Sequence, residues 1–142
     1  MCELPLKSVK STRMDIANMI SVLIVDDAAF SRRMIRKYLQ ADGYEVLEAT
    51  NGLEGLEITS DRQPDCILTD LLMPEMDGFE FLAILREKGL TIPTAIISAD
   101  IQDTSRQRGI ELGASAFLNK PPKQDEIRQA VQQLLDSNRC KA

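Results

Sequence analysis

Five short runs of apolar and β-branched residues, SVLIV (21–25), EVLEA (45–49), DCILT (65–69), PTAIIS (93–98) and SAFLN (115–119), recur along the chain, and a longer segment of helical periodicity follows each. This alternation constrains the fold more than any other feature. Strands separated by helices pair in parallel through right-handed crossovers, which put helices on both faces of the sheet. Strands covered on both faces need few polar residues, as here. The expected architecture is α/β: a doubly wound, five-stranded parallel sheet in the order 2-1-3-4-5, flavodoxin-like, in a single domain.

The helical segments carry their own signals. Phe30, Met34, Ile35, Tyr38 and Leu39 recur at helical spacing after the first strand and predict its buried stripe, with Gly43 as the stop. Ile127, Ala130, Val131, Leu134 and Leu135 form the matching stripe of the last helix. Helices are expected over 51–60 and 78–88, the second closed by Gly89. The segment 101–112, IQDTSRQRGIEL, is polar and carries Thr104 and Ser105, so it is the weakest helix and the one expected to move most.

Composition removes several classes. A chain of 142 residues builds one ordinary domain, and 44% hydrophobic with 27% charged residues is a globular balance. No apolar run approaches the ~18 residues of a membrane-spanning helix, so no membrane insertion is expected. A net charge of −5 with no Lys/Arg-rich block argues against direct nucleic-acid binding. Cys2, Cys66 and Cys140 are odd in number and lack CxxC spacing, which suggests neither a disulfide framework nor a zinc site and fits a reducing cytoplasm. Lys7, Lys10 and Arg13 before IANMISVLIV imitate a signal peptide, but Asp15 and Asn18 interrupt it and no cleavage pattern follows. The expected organisation is an N-terminal extension at 1–19, a folded domain at 20–137 and a short tail at 138–142.

Ligands of such folds bind beyond the carboxyl ends of the strands, where strand order reverses. The chain places Asp26 and Asp27 after the first strand, Asp70 after the third, Ser98 after the fourth and Lys120 after the fifth. The second strand ends in Ala49-Thr50 and adds no charge, as suits an edge strand. Singly, each polar residue has an ordinary explanation as a helix cap, a turn former or a solvated loop charge. Together at one edge of a buried sheet they do not. Three converging carboxylates repel, and Lys120 offers one compensating charge. A hard divalent cation with oxygen ligands supplies the rest, and Mg²⁺ fits such donors best. The chain contains no His, which removes the usual general base and any imidazole-dependent triad.

VDD at 25–27, Asp70 with the following LLMPEMDG up to Gly78, ISA at 97–99 and GASAFLNKP from Gly113 to Pro121 resemble, in order, the motifs of the receiver domain of two-component response regulators. The likeness extends over about residues 20–137. With only a short tail after the last helix, the chain resembles the stand-alone, chemotaxis-type members.

The resemblance implies that Asp70 accepts a phosphoryl group from a sensor histidine kinase or a histidine phosphotransfer protein in a Mg²⁺-dependent reaction. Asp27 would bind the ion directly and Asp26 largely through water, with Asp70 and the Leu72 carbonyl completing the protein ligands. Ser98 and Lys120 would hold phosphoryl oxygens, with the Lys120–Pro121 bond cis. Ser98 and Phe117 would form the switch, and Phe117, lacking a hydroxyl, is expected to favour its buried rotamer. A downstream protein target would read the face of the fourth helix, fifth strand and fifth helix, with the chain a monomer or a phosphorylation-dependent dimer. Leu72 and Asp100 match positions that tune dephosphorylation, and Leu72, which cannot orient water, implies slow loss of the phosphate. The resemblance implies no enzyme beyond the chain's own phosphoryl transfer and slow self-dephosphorylation. The alternative of a different class, a carboxylate-nucleophile phosphatase, needs a second Asp two residues after the nucleophile, where Leu72 stands. No GxxxxGK[ST] or GxGxxG nucleotide signature is present.

Overall fold

The computed structural model describes residues 19–99 and 102–139. The proposed N-terminal extension therefore lies, but for its last residue, outside the described residues, as does Asp100. Strands β1 (Ser21–Val25), β2 (Glu45–Ala49), β3 (Cys66–Thr69), β4 (Thr94–Ser98) and β5 (Ala116–Asn119) alternate with helices α1 (Ala29–Ala41), α2 (Gly52–Arg62), α3 (Gly78–Glu87), α4 (Asp103–Glu111) and α5 (Gln124–Arg139). All strand pairs are parallel, and the order is β2-β1-β3-β4-β5. The expected sheet is observed, with single-residue differences where Asp65, Pro93 and Ser115 stand just outside the strands. Helix α5 runs two residues past the boundary drawn at 137.

Successive residues of a strand face opposite sides, and the core divides accordingly. Val22 and Ile24 of β1, with Cys66 and Leu68 of β3, pack against Ile35 and Leu39 of α1 and Ile127, Val131 and Leu134 of α5. Leu23 and Val25 face the other way, with Ile67, onto Leu56 of α2 and Phe81 and Leu85 of α3. A third cluster, Leu71, Leu82, Ile96 and Ala114, fills the space under α4. Burial pushes the Cys66 thiol up to about 12, which leaves it an inert core residue.

Phe30 corrects the expected stripe of α1. Its side chain is 75% exposed, and the buried residues are Ser31, Ile35 and Leu39. The inward face follows the i, i+4, i+8 row one position later than Phe30, so Met34 and Tyr38 flank the core while Phe30 stands exposed in the first turn. Gly43, at φ +88, ends α1 as expected. Among the described residues no helix is long and apolar enough to cross a membrane.

Candidate functional site

The carboxyl ends of β1 and β3 lie side by side, with Val25 opposite Thr69. The next residues on each, Asp26 and Asp70, are therefore neighbours, and the Asp70 N–H donates to the Val25 carbonyl at 2.8 Å, extending the ladder by one step. Asp26 and Asp70 are buried at 3% and 8% exposure. Asp27 is exposed. Each of the three offers a carboxylate oxygen, and these oxygens lie within 4.8 Å of one another.

Each buried acid is held from several sides. Asp26 Oδ1 accepts from the Ala28 N–H at 2.9 Å, and its own N–H donates to the Ala49 carbonyl at 3.0 Å. Asp70 Oδ1 accepts from the Leu71 N–H at 2.7 Å. Lys120 Nζ lies 2.8 Å from Asp70 Oδ2 and 3.0 Å from Asp26 Oδ2, so one ammonium serves two carboxylates. Burial is the main influence on Asp70 and lifts its pKa above the ordinary value, although Lys120 works against it. Burial pulls Lys120 down, but its bonds to Asp70 and Asp26 outweigh that and hold it above its ordinary value.

Lys120 reaches the acids from the loop after β5. Its N–H donates to the Ser98 carbonyl at 3.0 Å, and the following Lys120–Pro121 bond is cis. Ser98 is buried at the end of β4, one step beyond the level of Asp70. The loop after Asp70 is tightly folded. A Cβ at Gly78 would overlap the Asp70 carbonyl oxygen, so only glycine lets α3 begin this close to the end of β3. Asp77 caps α3 and forms a reciprocal capping box with Glu80.

Asp26, Asp27, Asp70 and Lys120 thus converge as the sequence suggests. Leu72 lies on the same loop with its side chain 70% exposed. Phe117 is half-buried against the cluster of Leu71, Leu82, Ile96 and Ala114, and the Arg106 guanidinium stands 5.8 Å from its ring centre. Sequence reasoning does not find the Ala28 and Leu71 amides that hold the acids, because backbone donors leave no mark in residue type. It also passes over Arg32, whose Nη1 donates to the Asp26 carbonyl at 2.8 Å. The only signal is an arginine six residues after an acid, which needs the helix phase to become legible.

The donor set is all hard oxygen, with Asp27 open to solvent. Three negative charges against one ammonium leave a formal −2. These residues fit a small divalent cation that retains several waters, as Mg²⁺ does.

Residues 22–132 match the response regulator receiver domain family. The chain is 42% identical over 104 residues to the sensor histidine kinase CheAY of Helicobacter pylori, covering 70% of this chain and 13% of that protein. It is 39% identical over 114 residues to the transcriptional regulatory protein SrrA of Staphylococcus aureus, covering 80% of this chain and 47% of that one. The chain thus spans less than half the length of either relative. Among solved structures, the chemotaxis protein CheY4 of Vibrio cholerae superposes with a TM-score of 0.78 at 33% identity, covering 82% of this chain and 99% of that one. The signal receiver domain of the response regulator NarL from Mycobacterium tuberculosis gives 0.78 at 30% identity, over 83% and 97%.

Proposed function

The chain belongs to the response regulator receiver domain family, and from that premise we propose that it is a receiver domain accepting a phosphoryl group on Asp70 and switching partner binding in response. The observation that carries this is the meeting of the Asp26, Asp27 and Asp70 carboxylates within 4.8 Å, with Lys120 Nζ bonded to two of them. Asp70 Oδ1 is held by the Leu71 amide of the backbone, and Oδ2, held by the movable Lys120 side chain, is the attacking oxygen. That oxygen forms a bond to phosphorus as the N–P bond of a donor phosphohistidine breaks. The electron pair returns to the imidazole nitrogen, which takes up a proton from solvent. Strand β3 holds the carboxylate rigidly for in-line attack, and positioning with charge neutralisation makes up most of such catalysis.

Asp26, Asp27, Asp70 and the Leu72 carbonyl would hold Mg²⁺, which when bound neutralises phosphoryl oxygens. Lys120 follows the charge from Asp70 Oδ2 to the transferred group, and Ser98 offers a hydroxyl on the neighbouring strand. Phe117 answers the movement of Ser98 and changes the α4–β5–α5 face that a downstream protein target reads. Leu72 slows loss of the phosphate because it offers no group to orient an attacking water. Leu72 also removes the proton donor that a phosphatase of the carboxylate-nucleophile class would need two residues after Asp70. The donor is a histidine kinase or phosphotransfer protein, the compartment a reducing cytoplasm, and neither nucleic acid nor membrane is bound directly. The protein works as a monomer or pairs on phosphorylation. Incubation with Mg²⁺ and acetyl phosphate should add one phosphoryl mass to the intact wild-type protein and none to Asp70→Ala. Equal labelling of both would remove Asp70 from the role.

A further inference from the structure

The peptide group that joins Asp26 to Asp27 is held by a side chain of α1. Arg32, on α1, donates from Nη1 to the Asp26 carbonyl at 2.8 Å and from Nε to Glu48 Oε1 on β2 at 3.0 Å. Arg36 donates to the second oxygen of Glu48 at 2.7 Å, so the glutamate is gripped from two turns of the helix. The Arg32 side chain is 18% exposed and that of Glu48 28%, which shields the chain of bonds from much of the solvent. A peptide unit is planar, so anchoring its oxygen fixes the direction in which the following residue leaves. Asp26 has other anchors, in Ala28, Ala49 and Lys120. Asp27 is exposed and takes its direction from the peptide plane that Arg32 holds.

We propose that Arg32, backed by Glu48, is a positioning residue for the acidic pair, setting the Asp26–Asp27 step so that the Asp27 carboxylate meets those of Asp26 and Asp70 around one cation. The inference rests on the assignment of that cluster as a divalent-cation site. It differs in sign from a purely electrostatic role. If Arg32 acted only through its charge, Arg32→Ala would remove a repelling cation and tighten Mg²⁺ binding, and Glu48→Ala would remove an attracting anion and weaken it. As a positioning device the two variants weaken binding together, because each breaks the same chain of bonds.

Calorimetric titration of the full chain with Mg²⁺ separates the cases. Arg32→Ala and Glu48→Ala should each bind about tenfold more weakly than wild type, the size expected when a group orienting a metal ligand is lost. The double variant should be no weaker than the weaker single one, since the two act as one unit. Two milder variants carry the comparison should the alanine proteins fail to fold. Glu48→Gln keeps the acceptor for Arg32 and should bind like wild type, whereas Arg32→Lys keeps the charge but loses the fork and should still bind more weakly. Tighter binding by Arg32→Ala, or lower melting temperatures with an unchanged dissociation constant, would overturn the positioning role alone. No uptake by the wild-type protein would overturn the cation site and the positioning role with it.

Discussion

Lys120 is asked to compensate two buried carboxylates with one charge, and the consequence differs at the two ends of the contact. It is held above its ordinary pKa by Asp70 and Asp26 despite burial, so its contribution to stability is complete below about 10.5 and fades as pH rises through the raised folded value. Asp70 goes the other way. Burial lifts its pKa above the usual carboxylate range in spite of the lysine. A carboxyl raised in this way stabilises the fold when protonated, below its unfolded pKa, and loses that contribution as pH rises through the folded one. At neutral pH the charge on Asp70 therefore opposes folding. Asp70→Asn, which keeps the shape and an acceptor for the Leu71 amide, should be more stable at pH 7 and melt at a higher temperature than wild type. The gain should disappear below about pH 4, where the wild-type carboxyl is protonated in both states. Melting curves at the two pH values check this, and a lower midpoint for the variant at pH 7 would refute it.

Among the elements, α4 has the least to hold it. Gly109 is its one buried residue, and the rest of its attachment is polar: Arg108 lies 4.3 Å from the ring centre of Phe79, and Arg86 of α3 donates to the Glu111 carbonyl at 2.9 Å. A Cβ at position 109 would fall 2.6 Å from Ile96 Cδ1. Two effects compete in Gly109→Ala. Helix propensity favours alanine by about 1 kcal/mol, while overpacking a filled core costs about 1–3 kcal/mol. Ile96 is fully buried and has little room to yield, so overpacking should win by about 1 kcal/mol. The loss should be local, seen as faster amide exchange in α4 with little change in β1 and β3; uniform exchange across the sheet would contradict it. The polarity of 101–112 was enough to single out this helix from sequence. The sheet was legible for the opposite reason, because strands buried on both faces cannot hide their composition. The stripe of α1 was legible only in part, since buried Ser31 carries no apolar signature and exposed Phe30 carries a false one. Acids ending apolar strands were conspicuous, whereas Arg32 and the amides beneath them depend on helix phase and backbone direction, which residue type does not record.

At the scale of the whole molecule, the two faces of the sheet are filled with apolar side chains, and three carboxylates against one ammonium meet at one rim. Asp26 and Asp27 arrive on β1, Asp70 on β3 and Lys120 from β5, so a cation bound there would join segments far apart in the chain. Such an ion binds only the assembled rim and must therefore stabilise the fold by mass action. At a hundred times its dissociation constant the gain is about 2.7 kcal/mol, or close to 10 °C for a chain of this size. Screening by salt also relieves repulsion among the acids, but it acts through ionic strength and not through ion identity. MgCl₂ should accordingly raise the melting temperature well beyond NaCl at equal ionic strength, and chelation should reverse the rise. Asp27 separates the effects further. Its side chain is exposed, so Asp27→Ala should change metal-free stability by less than about 0.5 kcal/mol. The same substitution removes one of three converging ligands and should abolish most of the Mg²⁺-dependent rise. An equal rise with NaCl, or an undiminished response in Asp27→Ala, would mean that the acids at this rim repel one another without gripping an ion.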